Sequence, residues 1–92
     1  MIQGFKDRKT QQFFEGRKIR DSQGFASQAA RRLVVLNSAE SLQDLAALRS
    51  NRLEPLAGKR EGQYSIRINR QWRICFRWNE DGPYDVEIVD YH

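Results

Sequence analysis

The stretch QYSIRINRQWRICFRWNEDGPYDVEIVDYH, residues 63–92, decides how this chain is read. It divides into three strand-like runs, Gln63–Asn69, Trp72–Trp78 and Tyr84–Tyr91. Asn79-Glu80-Asp81-Gly82-Pro83 has the chemistry of a turn between the last two, and Asn69-Arg70-Gln71 is the turn between the first two. Within the runs the apolar side chains fall on even numbers: Ile66, Ile68, Trp72, Ile74, Phe76, Val86 and Ile88. A strand sends successive side chains to opposite faces, so these residues form one apolar face. The odd positions Arg67, Asn69, Arg73, Cys75, Arg77, Glu87, Val89 and Tyr91 form a second, polar and arginine-rich face. A solvated, charged face is the ordinary condition of an antiparallel sheet, so this pattern alone names no ligand.

Upstream, the chain reads as helices able to cover the apolar face. Met1–Phe5 is a candidate short strand, and Lys6–Arg17 a short helix ended by Gly16. Asp21-Ser22 offers an N-cap, after which Phe25, Ala29, Leu33 and Leu36 recur at helical spacing with Arg31 and Arg32 turned away. Asn37-Ser38 ends that helix. Ser41-Leu42-Gln43-Asp44 has the form of a capping box and opens another helix carrying Leu45 and Leu48. Arg52–Leu56 reads as an extended piece that Pro55 confines to an edge, followed by the basic loop GKREG between Gly58 and Gly62. The expected fold is α+β: a small antiparallel sheet, N-terminal helices packed on one face, and an open basic face opposite.

The totals narrow the function. Ninety-two residues support one modest core, so residues 1–92 are expected to form a single domain. The longest strongly apolar stretch, LVVL at 33–36, is far short of the about 20 residues that cross a membrane. With one cysteine and no secretory leader pattern, the expected compartment is the cytoplasm and no membrane contact is expected. With one Cys and one His there is no Cys/His/carboxylate set at metal-ligand spacing, and no phosphate-binding glycine motif is present. The net charge is +4, carried by twelve arginines against four lysines. Arginine's planar fork suits phosphate, which points to a polyanionic partner.

The segment Leu53-Glu54-Pro55-Leu56-Ala57-Gly58-Lys59-Arg60-Glu61-Gly62, the strands Ser65–Asn69 and Gln71–Ile74, and the ending Asp90-Tyr91-His92 together resemble the HigB family of bacterial toxins, within the RelE-like group. The resemblance covers residues 53–92 closely, and the upstream helices fit in length and order. It implies a ribosome-dependent messenger-RNA endonuclease of a toxin–antitoxin system, working without metal or cofactor. It also implies a helix-turn-helix antitoxin of the HigA type, through which the toxin meets operator DNA only indirectly.

Metal-free RNA cleavage requires activation of a 2′-hydroxyl, stabilisation of an anionic phosphorane and protonation of the departing 5′-oxygen. His92 titrates near about 6.5 in the absence of perturbation and suits proton transfer. The bland reading is a solvated terminal residue. Tyr91 is placed to bond or stack on a base, or only to cover the sheet. Asp90 would orient His92 or Tyr91, although strict alternation points it to the apolar face, so the strand is expected to end or twist there. Arg73 is the candidate holder of the scissile phosphate; the ordinary alternative is a surface arginine paired with Glu87. Arg67, Lys59, Arg60, Arg70 and Gln71 are candidate RNA contacts, against ordinary solvated loop residues. Trp72 and Trp78 are assigned to the core. Two positions depart from the family pattern: Glu54 stands where some members carry histidine, and Ala57 where lysine is common. Glu54 is therefore the candidate base, though a carboxylate accepts a proton less readily than an imidazole, and activity is expected to be weak. Two other readings stand beside this one. The protein is an RNA- or ribosome-binding module without cleavage, or it acts mainly as a co-repressor with its partner.

Overall fold

The computed structural model describes residues 1–17 and 25–90; the expected cap at Asp21-Ser22 and the residues Tyr91 and His92 lie outside them. Helix α1 (Arg8–Phe14) starts where the Asp7 carboxylate accepts from the Thr10 amide at 2.9 Å, and it ends at Gly16, whose φ of 100° suits glycine. Helix α2 (Ala26–Ser38) buries Ala29, Leu33 and Leu36 on one face, with Phe25 buried just before it. Arg32, expected to turn away, is half-buried and donates to Asn51 at 2.7 Å. Helix α3 (Leu42–Ala47) is capped by Ser41 as the sequence predicts, while the Asp44 carboxylate accepts from Glu40 N. A 3-10 turn at Arg49–Asn51 follows, and Arg52 leaves it in the left-handed conformation.

The sheet is antiparallel in the order β1 (Glu54–Pro55), β2 (Tyr64–Arg67), β3 (Trp72–Asn79), β4 (Gly82–Asp90). A second 3-10 turn, Gly58–Arg60, fills the link between β1 and β2. Residue pairs shift between Cys75↔Glu87 and Arg77↔Tyr84, so Asp85 and Val86 oppose Phe76 alone. Asp85 takes a φ of 51° in this bulge. The β3–β4 hairpin is tighter than expected: Asn79 pairs with Gly82, leaving Glu80-Asp81 as the turn. Met1–Phe5 is not a full strand. It runs along the outer edge of β4 through one parallel bridge, Phe5↔Val86, and backbone bonds from Gln3 N to Pro83 O and from Val86 N to Gly4 O.

The even-numbered face is the core. Ile66, Ile68, Ile74, Phe76 and Val86 are buried against Phe25, Leu33, Leu36 and Leu45. Trp72 stacks on Phe25 at 4.7 Å, and Trp78 meets Phe76 edge-on at 6.4 Å. The odd face departs from the simple alternation reading, because Ser65, Arg73 and Cys75 on it are buried too. Arg73 is covered from the Arg52–Glu54 side, and Cys75 lies among Arg60, Glu87 and Arg73. The water-facing part of this face is thereby reduced to its rims.

Candidate functional site

Among the described residues, six line a cleft of about 270 Å³ at the end of the sheet: Arg52, Glu54, Arg67, Asn69, Arg70 and Arg73. Four guanidinium groups thus face one carboxylate. Among the described residues the side chains of Arg52, Arg67 and Arg70 have no hydrogen-bonding or ionic partner. Arg67 and Arg73 sit directly opposite each other on β2 and β3. Like charges in that position repel, and the fold keeps them together on the wall of the cleft.

Arg73 corrects the expectation of an exposed arginine. Its side chain is only 8% exposed. Nε donates to the buried Ser65 Oγ at 2.8 Å, and one terminal nitrogen donates to the Arg52 carbonyl at 2.7 Å. The same nitrogen is 3.9 Å from the Glu54 carboxylate, itself half exposed. Among the described residues its acidic partner is therefore Glu54. Glu87, the ordinary partner considered from sequence, is taken by Lys6 at 3.2 Å and Arg60 at 3.5 Å.

The β2–β3 turn forms one rim of the cleft. Asn69 Oδ1 accepts from the amides of Gln71 and Trp72, and its Nδ2 donates to Gln28 on α2 at 3.2 Å. This Asx arrangement pins the turn to the helix layer. Gln71 Nε2 in turn donates to the Asp90 carboxylate at 3.1 Å. Gln71, a candidate RNA contact, is thus engaged with another candidate residue. Asp90 is exposed and pairs with Trp72 at the last described step of β4. The expectation that the strand ends or twists there concerns Tyr91 and His92, outside the described residues.

Lys59 and Arg60 stand apart from the cleft lining, on the Gly58–Arg60 turn. Lys59 is exposed, whereas Arg60 is half-buried between Gln63 Oε1 at 3.1 Å and Glu87. Below this clamp lies Cys75, whose thiol burial pushes above its ordinary pKa. Such a thiol is a poor nucleophile. Among the described residues no group of three His, Cys, Asp or Glu side chains gathers as a metal site, and no helix is long and apolar enough to cross a membrane.

Three contributors escaped the sequence reading. Ser65 looks like any strand serine until its hydroxyl is seen under Arg73. Asn69 carried a signal as the first residue of the turn. Arg52 carried none, because a left-handed backbone is seldom predicted for arginine.

Comparison with known proteins places the chain. A family model described as "RelE-like toxin of type II toxin-antitoxin system HigB" matches residues 3–92. The chain is 36% identical over 76 residues to "Toxin HigB-1" of Vibrio cholerae serotype O1, which covers 80% of each protein. It is 42% identical over 41 residues, 45% of each protein, to "Endoribonuclease HigB" of Proteus vulgaris. With the family model spanning nearly every residue of an α+β fold that carries the arginine cleft, the chain belongs to the HigB-like family of RelE-like toxins from type II toxin–antitoxin systems.

Proposed function

We propose that the protein is an endoribonuclease that cuts messenger RNA in the cleft between β1 and the β2–β3 turn. The observation that carries this reading is the charge that the described residues give the cleft: four guanidinium groups against one carboxylate, three of them without a partner among those residues. Fixed positive charge in a concave site suits a phosphodiester and its more highly charged transition state. The relative from Proteus vulgaris is named an endoribonuclease, in agreement with this reading.

In the proposed reaction the 2′-oxygen attacks the adjacent phosphorus and the bond from phosphorus to the 5′-oxygen breaks. The products are a 2′,3′-cyclic phosphate and a free 5′-hydroxyl. Glu54 takes the 2′-hydroxyl proton at the mouth of the cleft. Arg73, held by Ser65 and by the Arg52 carbonyl, offers its charge to the phosphorane without reorganising. His92 protonates the 5′-oxygen, with Tyr91 and Asp90 as neighbours in the chain. Arg67 and Arg70 hold flanking phosphates, with Lys59, Arg60 and Gln71 as more distant contacts. The reaction takes place on the translating ribosome in the cytoplasm, without metal or cofactor. The family implies an antitoxin partner; we propose that it is of the HigA helix-turn-helix type and that it alone carries the pair to operator DNA.

A second reading, RNA or ribosome binding without cleavage, gains support from Glu54 in the place of a histidine. Primer extension on translated and untranslated messages separates the two. Discrete breaks that appear only during translation, end in 5′-hydroxyls, and vanish when His92 is deleted or changed to Gln, support the nuclease. Intact message under full growth arrest overturns it in favour of binding alone.

A further inference from the structure

Arg52 adopts φ 45° and ψ 54°, a left-handed conformation that glycine or asparagine takes far more readily. For a residue with a Cβ the cost lies in the backbone, and a long charged side chain does nothing locally to offset it. The position is nevertheless over-determined. On one side Asn51 is fully buried, donating to Leu45 O at 3.0 Å and accepting from Arg32 at 2.7 Å. On the other, Glu54 enters the edge strand opposite Ser65. Between them the Arg52 amide donates to Arg49 O at 3.1 Å, and its carbonyl accepts from Arg73 at 2.7 Å. The backbone is locked by its neighbours, and the side chain is left exposed on the wall of the cleft, without a partner among the described residues.

We infer that Arg52 is a phosphate-binding residue of this cleft, gripping the RNA backbone at a phosphodiester next to the one held at Arg73. The inference rests on the reading of the cleft as an RNA site and extends it to a residue to which neither the family resemblance nor the alternation pattern gave a role. Its chemistry is that of a guanidinium aimed where a second anion must pass. Strained residues that the surrounding structure holds in place concentrate at functional sites. Here the strain and the function separate cleanly, because the bond to Arg73 uses the Arg52 main chain. Changing the side chain leaves that bond in place.

The test is the variant Arg52→Gly, compared with Arg52→Lys, Arg52→Gln, Arg67→Ala and the off-site control Arg31→Ala. The probe is a fluorescently labelled single-stranded RNA oligonucleotide, with affinity measured across a potassium chloride series, alongside thermal unfolding and cleavage of translated message. Arg52→Gly is expected to unfold at the wild-type temperature or higher, since glycine relieves the backbone. It is expected to bind RNA about tenfold more weakly or worse, with the slope of log affinity against log salt reduced by about 0.7. Arg52→Gln should lose affinity similarly and Arg52→Lys recover part of it, while Arg31→Ala stays at wild type. Wild-type affinity and salt slope in Arg52→Gly, when Arg67→Ala is weakened, overturn the inference alone. A wild-type protein that binds the oligonucleotide with no salt dependence overturns it together with the RNA reading of the cleft. Weakened, less salt-dependent binding in Arg52→Gly, beside a wild type that binds without cleaving, supports the role of Arg52 and removes only the nuclease chemistry.

Discussion

Arg73 has two duties, and substitution should expose both. Removing its side chain leaves the buried Ser65 hydroxyl and the partly buried Arg52 carbonyl without their donor. The expected cost to stability of Arg73→Ala is about 1–3 kcal/mol, read by denaturant unfolding, together with loss of message cleavage. Ser65→Ala should lower cleavage less, because the guanidinium remains but loses one anchor. Full cleavage by a folded Arg73→Ala protein would remove the residue from the reaction. Cys75 allows a second test. Its folded pKa is raised, so the native state keeps the thiol proton to higher pH than the unfolded chain does. Between the two values the native state binds more protons, and its stability falls as pH rises. Wild type should therefore lose stability more steeply than Cys75→Ala above about pH 9, and the two slopes should agree near neutrality. Legibility at this scale was uneven. The importance of Arg73 could be suspected from its motif, but its burial could not, because alternation assigns a face and says nothing of what folds over it.

At the level of elements, period and turn chemistry did most of the work. Phe25, Ala29, Leu33 and Leu36 read as a helix face and are one. The three runs read as strands and are three of the four strands of the sheet. The misreadings fall where backbone strain decides. The bulge at Asp85-Val86 shifts the register of β4, and nothing in the apolar pattern announces it. Gly82 belongs to the turn that the sequence predicts over residues 79–83, yet it opens β4 with φ 126°, and a Cβ there would meet the Met1 carbonyl at 2.7 Å. Gly82→Ala is therefore expected to cost about 2 kcal/mol or more, measured as a fall in Tm, with cleavage kept wherever the protein folds. A neutral effect would mean that the hairpin and the N-terminal segment move apart readily.

For the molecule as a whole, the N-terminal segment matters more than its irregular geometry suggests. Ile2 N donates to Asn37 at 2.8 Å, Gln3 binds the main chain of Pro83 and Asp81, and Phe5 packs on Phe14 at 5.6 Å. Trimming a chain end usually costs little. Deleting residues 1–5 here removes at least four such bonds and uncovers the outer edge of β4. We expect a loss of about 3 kcal/mol or more and a tendency to self-associate through the bared strand, checked by thermal unfolding and by size-exclusion chromatography. An unchanged Tm would mean that the segment merely rests on the sheet.

That seam between first and last elements also sets an order in time. The segment at residues 3–6 bonds to Pro83 and Val86, and Thr10 on α1 accepts from Ile88 N. A ribosome delivers the chain from its N-terminus, so these early residues emerge long before their partners exist. Until synthesis has passed Asp90, the helices and β1–β3 lack the complete strand that closes over them, and residues 3–6 wait for their partners on it. The nascent chain therefore carries an unfinished sheet until β4 docks between β3 and the N-terminal segment.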